Sequence, residues 1–379
     1  MADNNKYINK MTLGNCMNYL DKIKNNSVHL FLSDIPYGIN LDEWDVIHNN
    51  TNSALLGSSP AQKGSNAFKK RGKPINGWNK DDRDINKEYR KWVYKWAEML
   101  FPIMKEGAPL FIFGGRRTIS DAIVALEDVG FLVKDLLAWK KQNAHHRSQD
   151  IFKVLVKRGD EYCLTAEILE KYKTTKGLSK YIDELSDMLD IKFNSSKELL
   201  KQLKEIDKTL YNKHRYKILE DALQDKEIKE ITEKWKGWKL GNLAPIYEPI
   251  AWLFKPYNST TLTDNVLKNE VGAMNLNVCK INGKSPTNIL SFDFSKDEDS
   301  NLHEAQKPLA LIQYLIKLTT QEGQTVLDAF MGSGTTVIAA EQLNRNYIGI
   351  EINEQYYKTA QKRLKDYKEK KFKKPKLNF

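Results

Sequence analysis

One stretch near the start of the chain indicates the fold class. The apolar run Val28–Leu32 has the length and composition of a short buried strand. At its end the sequence changes abruptly to Ser33-Asp34-Ile35-Pro36-Tyr37-Gly38. Ligands of open α/β sheets bind beyond the carboxyl ends of the strands, so Asp34 and Tyr37 are predicted to face a binding site. Pro36 stiffens this turn because its ring fixes φ and restricts the residue before it.

A second stretch, far along the chain, has the pattern of a nucleoside-binding βαβ unit. A predicted strand ending at Asp328 leads into Phe330-Met331-Gly332-Ser333-Gly334-Thr335-Thr336 and then into an apolar helix. The next predicted strand, Asn346–Asn353, contains Glu351, nineteen positions after Gly332. An acid about 20 positions after a glycine turn is suited to hold ribose hydroxyls. The third glycine of the dinucleotide fingerprint is missing, and no Lys follows to make a phosphate-binding P-loop.

Together these two motifs resemble those of the amino-methylating DNA methyltransferases that use S-adenosylmethionine. The order, with the Asp-x-Pro-Tyr element first and the glycine turn last, resembles the β group of that family. Three further segments are similar to family elements, and the resemblance covers roughly residues 7 to 147 and 236 to 367. These segments are Gly14-Asn15-Cys16, Tyr247-Glu248-Pro249-Ile250 and His303-Glu304-Ala305-Gln306-Lys307-Pro308.

The resemblance implies a Rossmann-like, S-adenosylmethionine-dependent methyltransferase fold of the α/β class, with circularly permuted motif order and a helical insertion. It implies methyl transfer to adenine N6 of a flipped-out base, within a restriction-modification system or by an orphan methylase. The predicted catalytic residues are Asp34, Ile35, Pro36 and Tyr37. The predicted cofactor-binding residues are Asn15, Lys307, Asp328, Phe330, Gly332, Gly334, Thr335, Thr336, Glu351 and Asn353. Gly38 and Trp44 are predicted to contact DNA, and no metal site is predicted.

The chemistry explains why an acid is needed in the first motif. The exocyclic amine of a base is a poor nucleophile because its lone pair is delocalised into the ring. The Asp34 carboxylate and a main-chain carbonyl near Ile35 are predicted to hold both amine hydrogens and to aim the lone pair at the methyl group. Tyr37 is predicted to stack on the flipped base.

The composition agrees with a polyanionic partner. The 379 residues carry 60 Lys and Arg against 49 Asp and Glu, a formal net charge of +11, and double-stranded DNA is the predicted partner. The three cysteines stand far apart and predict neither a metal site nor a disulfide framework. No signal peptide and no membrane-spanning run is found, so a cytoplasmic location without membrane contact is expected. A cognate restriction endonuclease and a homodimer are open alternatives.

The chain is predicted to divide into five parts. Helices are expected around 17–23, 86–104 and 120–127, with strands at 109–113, 131–139 and 247–254. Residues 256–302 show few helical signals, and by resemblance they contact bases. The parts are 1–147, the catalytic half; 148–240, a helical insertion; 241–302, a core strand plus the target-recognition region; 303–367, the cofactor-binding half; and 368–379, a disordered basic tail.

Three other functions stay open at this point. Cytosine N4 is the first, although family members acting there usually have Ser at the position of Asp34. Methyltransferases of RNA or of protein amides are the second, but these usually place the glycine turn before the Asn-Pro-Pro-Tyr element. A nicotinamide oxidoreductase or a non-catalytic nucleotide-binding module is the third, and it leaves Asp34 to Tyr37 without a role.

Overall fold

The chain forms two compact units, which are Met1–Asn143 with Ile246–Phe379, and Ala144–Pro245. The computed structural model describes residues 6–37, 82–141, 149–150, 230–231, 233–240, 243–294 and 306–373. The predicted DNA contacts Gly38 and Trp44 lie outside these ranges, as do His303, Glu304 and Ala305. None of the helices in these ranges combines the length and apolar character that a bilayer crossing requires.

A single eight-stranded sheet organises the first unit. Its strands are β1 (Lys10–Leu13), β2 (Leu30–Asp34), β3 (Pro109–Phe113), β4 (Leu132–Lys140), β7 (Tyr247–Phe254), β8 (Ile289–Ser291), β9 (Thr325–Asp328) and β10 (Asn346–Glu351). Their order in the sheet is β1-β10-β9-β2-β3-β7-β4-β8. Only β7 runs antiparallel to its neighbours in this sheet. The strand that ends at Asp34 therefore lies beside the strand that ends at Asp328, although the sequence separates them widely.

Helices cover both faces of this sheet. They are α1 (Asp82–Ile103), α2 (Ile119–Val129), α3 (Leu262–Asn269), α4 (Leu309–Thr319), α5 (Thr335–Gln342) and α6 (Glu354–Lys373). Successive strand residues point to opposite faces, and β2 shows this directly: Phe31 joins one core, while Leu30 and Leu32 join the other. The first core contains α1 and α2, and the second contains α4 and α5. This doubly covered α/β sheet is the predicted fold.

The apolar stripe of α1 forms much of the first core. Val93, Trp96 and Leu100 are fully buried, as their helical spacing predicts. Trp96 stacks on Phe31 of β2 with the ring centroids 5.7 Å apart, so the helix is fixed directly behind the strand that ends at Asp34. Trp92, one turn earlier, is only partly buried because it reaches the edge of the sheet where the functional residues collect.

The second unit is described only in short pieces. In it β5 (Gln149–Asp150) pairs antiparallel with β6 (Lys239–Leu240). Almost all of the predicted helical insertion, 148–240, lies outside the described ranges. Its helical character and its role stay predictions.

Two predicted strands have the expected bounds, and three local predictions are wrong. Strands β3 and β7 occupy 109–113 and 247–254. Residues 17–23 were expected to be helical, but they form two short 3-10 turns because Asn15 caps the first and Tyr19 separates them. Helix α3 lies in the supposedly non-helical region, where Thr261 and Asp264 form a capping box.

The basic tail was expected to be disordered from residue 368, but α6 continues to Lys373. Lys365 pairs with Glu369 one turn later, and Lys368 reaches Glu341 of α5 at 3.3 Å. Pairs at this spacing stabilise an exposed helix by a few tenths of a kcal/mol each. The remaining residues, 374–379, lie outside the described ranges.

The first half of the predicted target-recognition region lies at the end of the sheet opposite Asp34. Strand β7 runs away from that edge, and the segment after it packs beside the start of β3. Asn258 Nδ2 donates to Glu106 Oε1 at 2.8 Å, and Asn265 Nδ2 donates to the Glu106 carbonyl at 3.1 Å. Residues 256–275 are therefore poorly placed to contact a base held at Asp34. Strand β8 returns the chain to the carboxyl edge, where Ser291 pairs with Lys140.

His29 directly precedes β2, and its protonation predicts how the stability of the fold depends on pH. Its Nδ1 accepts a hydrogen bond from the Thr325 backbone N–H at 3.2 Å. Burial, helped by Lys105, lowers the pKa of His29 to about 4. In the unfolded chain His29 binds a proton near pH 6.5, whereas in the folded chain it binds one only near pH 4. The free energy of unfolding therefore decreases as the pH falls from about 6.5 towards 4.

We expect the His29→Asn variant, which keeps a neutral acceptor, to lose less stability than the parent between pH 7.5 and 5. Urea unfolding at both pH values measures the change. Buried carboxyls titrate in the same range, but they are common to both proteins and cancel in the difference. An equal loss in the two proteins would contradict this account of His29.

Candidate functional site

A cavity of about 390 Å³ opens at the carboxyl edge of the parallel strands. Four strand ends line it: Asn15 follows β1, and Asp34, Asp328 and Glu351 end β2, β9 and β10. The connection after β9 leads to one side of the sheet and the connection after β2 to the other, so Asp34 and Asp328 flank a topological switch point. Open α/β sheets bind their ligands at such a point, and the volume suits a small-molecule site.

The two central strand ends are joined by a side-chain hydrogen bond. Ser33 Oγ donates to Asp328 Oδ1 at 2.5 Å, and the Phe330 backbone N–H donates to the same oxygen at 3.1 Å. Burial raises the pKa of Asp328 to about 6, although these bonds oppose the change. Asp328 therefore holds the glycine turn against β2, and Ser33 is a functional contact that the sequence analysis missed.

Glu351 organises the glycine turn. Its Oε2 accepts from the Gly332 backbone N–H at 2.7 Å, and its Oε1 accepts from the Asn353 backbone N–H at 2.8 Å. Each carboxylate oxygen has a second lone pair, which leaves Glu351 able to accept from a ligand hydroxyl at the cavity. Burial raises the pKa of Glu351 because it disfavours the charged form, while the backbone N–H groups of Asn353 and Gly332 oppose this change.

Asp34 is held by a buried lysine. Lys307 Nζ lies 2.5 Å from Asp34 Oδ2 and 3.2 Å from the Tyr37 hydroxyl. The Lys307 side chain is 5% exposed and that of Asp34 is 22% exposed. Asp34 Oδ1 is buried and has no hydrogen-bond partner among the residues that the structure describes. One oxygen of the predicted catalytic carboxylate is thus anchored, the other has no described partner, and Asp34 is among the residues that line the cavity.

Glu248 extends this ion pair towards β4. Its Oε2 lies 3.5 Å from Lys307 Nζ, and its Oε1 pairs with Lys141 Nζ. Burial opposes the charge of Glu248, but Lys307 and Lys141 together hold its pKa below the ordinary value. The four groups alternate in sign as Lys141, Glu248, Lys307 and Asp34. Glu248 belongs to the Tyr247–Ile250 segment that resembles a family element, but no catalytic or binding role was predicted for it.

The turn after Asp34 is fixed by contacts from two helices. The Tyr89 hydroxyl of α1 donates to the Pro36 carbonyl at 2.9 Å. Thr118 Oγ1, before α2, donates to the Tyr37 carbonyl at 2.9 Å. These two carbonyls are therefore occupied, and the Ile35 carbonyl remains the predicted second acceptor for a substrate amine. The contacts also preset the ring of Tyr37 at the cavity.

An aromatic wall lies on the side of the cavity next to the glycine turn. The Phe330 ring lies 5.5 Å from Trp92 and 5.6 Å from Trp96, centroid to centroid. Phe330 and Trp92 both line the cavity, together with Lys95. A wall of this kind suits the flat face of a purine. The helical spacing placed Trp92 in the core stripe and gave no sign of its contact with the cavity.

Three predicted cofactor residues have local structural roles as well. The side-chain oxygen of Asn15 accepts from the Met17 backbone N–H at 3.0 Å, so its amide group is the part left for a ligand. Asn353 caps α6 through bonds to the N–H groups of Gln355 and Tyr356, and it is not among the residues that line the cavity. Gly334 has φ +81°, and a Cβ there would lie 2.7 Å from that of Ala360.

The other predicted cofactor residues line the cavity, but Lys307 contacts a different group from the one expected. Thr335 and Thr336 line it, as does Lys307, which was expected at the carboxylate of the cofactor. The structure places its ammonium on Asp34 instead, and Asp34 lies too far away in sequence for this pairing to be read from a motif. Within the described ranges no group of three or more His, Cys, Asp or Glu could hold a metal ion.

Comparison with known proteins agrees with this geometry. Residues 28–362 match the profile of the N6/N4 methyltransferase family, which is described as DNA methylase. The chain is 38% identical over 351 residues to the type II methyltransferase M.HindIII of Haemophilus influenzae, covering 91% of each protein. It is 21% identical over 353 residues to M1.MboII of Moraxella bovis, covering 93% of this chain and 95% of that one. A solved complex of M1.HpyAVI with SAM aligns with a TM-score of 0.46 and 19% identity, covering 94% of this chain and 98% of that one.

Proposed function

Because this chain belongs to the N6/N4 DNA methylase family, we propose that it transfers a methyl group from S-adenosylmethionine to adenine N6 in double-stranded DNA. The observation that carries the proposal is the arrangement of Asp34. One of its oxygens is anchored, and the other is buried, unpaired within the described part of the chain, and beside the cavity that Glu351 and the glycine turn line.

The residues around the cavity fit S-adenosylmethionine. Glu351 offers acceptors for ribose hydroxyls, and Phe330 with Trp92 offers an apolar wall for adenine. The carboxyl groups of Asp34 and Asp328 also line the cavity, and they favour a cationic sulfur over an anion. When bound, the cofactor supplies a methyl group on that sulfur. The nicotinamide alternative explains Glu351 but gives Asp34 and Lys307 no task.

Asp34 and the backbone beside it prepare the amine for attack. Asp34 Oδ1 accepts one amine hydrogen, and the Ile35 carbonyl accepts the other. Loss of conjugation with the ring then leaves the nitrogen lone pair directed at the methyl group. As the N–C bond formed and the S–C bond of the cofactor broke, the Asp34 carboxylate would stabilise the cationic nitrogen and accept the proton that it releases. Because Asp34 lies at the floor of a cavity, the base must leave the duplex to reach it, and Tyr37 provides a stacking surface.

Adenine is proposed over cytosine because Asp34 stands where relatives acting on cytosine N4 usually have Ser. The test is to incubate the protein with unmethylated DNA and cofactor carrying a deuterated methyl group, and then to analyse the nucleosides by mass spectrometry. We expect label in N6-methyladenine. Label in N4-methylcytosine would overturn the choice of base, and label in neither would overturn methyl transfer to DNA.

Recognition of the DNA site is proposed to come from segments at the carboxyl edge. Strand β8 reaches that edge at Ser291, whereas 256–275 lie at the other end. A basic protein that binds phosphates should lose affinity steeply with salt. A cognate restriction endonuclease and a homodimer, both left open by the sequence, stay predictions.

A further inference from the structure

We propose that Lys307 is a positioning residue for Asp34, which it anchors through one oxygen and keeps ionised while the other oxygen receives the target amine. This inference rests on the proposed function, and it assigns Lys307 a different role from the cofactor contact that the resemblance implies. Glu248 takes part by holding the Lys307 charge in place.

The geometry selects one oxygen of Asp34. Lys307 Nζ lies 2.5 Å from Oδ2, which is close enough for a charge-assisted hydrogen bond. Oδ1 is equally buried, but no described group donates to it. A carboxylate held at one oxygen cannot rotate freely, so Oδ1 keeps a fixed direction. In this proposal Oδ1 is the oxygen that accepts an amine hydrogen.

The described residues around Lys307 already engage much of its ammonium. An ammonium has three N–H groups. Asp34 Oδ2, the Tyr37 hydroxyl and Glu248 Oε2 lie 2.5, 3.2 and 3.5 Å from Nζ. The ammonium also lies 5.6 Å from the Tyr37 ring centroid and 5.3 Å from that of Phe113. Two hydrogen-bond acceptors, the nearby Glu248 charge and two aromatic faces leave little of the ammonium for a cofactor carboxylate.

The charges explain why a lysine is needed. A carboxylate buried alone tends to bind a proton, and a protonated Asp34 accepts poorly and cannot stabilise a cation. Burial raises the pKa of Asp34, and the nearby Glu248 adds to that effect, while Lys307 opposes it. The Tyr37 hydroxyl and the Asp328 carboxyl also lie near Asp34 and affect its charge. Lys307 is the only cation among these groups within the described residues.

Lys307 itself stays charged because it is paired on both sides. Burial disfavours the ammonium, but Asp34 and Glu248 raise its pKa above the ordinary value. Lys141 balances the second charge of Glu248. The two lysines and two carboxylates thus form a set without net charge, which is the condition under which buried ions are tolerated.

The test is the pH profile of single-turnover methyl transfer in the parent and in Lys307→Met. Methionine keeps the length of the stem and removes the charge. We expect the rate at pH 7 to fall about 100-fold, the scale of losing one preorganised charge contact. We also expect the acid limb of the pH profile, where the rate falls with decreasing pH, to move to higher pH. The reason is that Asp34 loses the cation that opposes its protonation. Cofactor affinity, measured by calorimetry, should change less than about threefold.

Glu248→Gln is a second variant, and we expect it to move the acid limb of the pH profile in the opposite direction. It removes a negative charge that raises the pKa of Asp34, so the acid limb should move to lower pH. Lys358→Met is the control, because that side chain is 69% exposed and pairs only with Glu354 on α6 in the described contacts. A general loss of folding cannot move the two limbs in opposite directions.

A direct titration decides the inference even for a protein that fails to methylate DNA. Carbon NMR of labelled aspartate carboxyls, with Asp34 assigned through Asp34→Asn, should show Asp34 titrating at higher pH in Lys307→Met than in the parent. An unchanged Asp34 titration would overturn the inference. So would a Lys307→Met enzyme with an unchanged rate and a large loss of cofactor affinity, since this would make Lys307 a cofactor ligand.

Discussion

Asp34→Ala is expected to slow methyl transfer by at least about 10²–10³-fold, while cofactor affinity stays within about threefold of the parent. Removing one preorganised group that stabilises developing charge has an effect of this size. We expect the two consequences to separate because Asp34 is proposed to hold the substrate amine, whereas the glycine turn is held by Glu351 and Asp328. Single-turnover rates and calorimetry measure the two quantities independently.

Asp34→Asn is the matched variant, because it keeps the shape of the side chain and one carbonyl oxygen. It loses the charge that pairs with Lys307, so it should also be severely impaired. Turnover within tenfold of the parent for Asp34→Ala would remove Asp34 from the reaction. A large loss of cofactor affinity in both variants would place Asp34 in the cofactor site instead.

Glu351→Gln is expected to weaken binding of S-adenosylmethionine by about 10- to 100-fold, with the folded structure retained. Hydrogen bonds to a charged group contribute about 1.5–3 kcal/mol, and 1.4 kcal/mol corresponds to tenfold in affinity. Glutamine has one carbonyl oxygen where Glu351 uses two to accept from Gly332 and Asn353. The amide must therefore leave either a backbone N–H or a ribose hydroxyl without its acceptor.

Calorimetry of Glu351→Gln should be compared with Glu354→Gln, an exposed acid three positions later that pairs with Lys358. Equal affinities in the two variants would show that Glu351 only supports the turn. Gly334→Val is a poorer test of cofactor binding. Its φ of +81° and its contact with Ala360 mean that any side chain there disturbs the turn itself.

The sequence predicts the strands of this fold well because their burial leaves a local pattern. Tyr247–Phe254 is a nearly continuous apolar run, interrupted by Glu248, and the structure has a strand with the same bounds. Helix α3 was missed because few of its eight residues are apolar and only Asn265 is buried. Its local signal was the capping pair Thr261 and Asp264, which a search for periodicity does not detect.

The sequence motifs identified many residues of the candidate site, but they did not predict which side chains contact one another. Asp34 and Glu351 stand out because acids at strand ends are unusual, and both line the cavity. The pairing of Lys307 with Asp34 spans 273 positions, and no local pattern encodes it. The bond from Ser33 to Asp328 spans 295 positions and is hidden for the same reason. Such pairings follow from sheet order, which local sequence does not determine.

The hydrogen bond between Ser33 and Asp328 has a consequence for how the protein is made. A ribosome synthesises β2 early, but the strand that must lie against it is absent until residue 328 has left the exit tunnel. Until then one edge of β2 has no partner and the acid at its end has no cavity. Contacts this distant in sequence slow folding because a long loop must close before they form. The cavity at Asp34 therefore cannot form until nearly all of the chain has been translated.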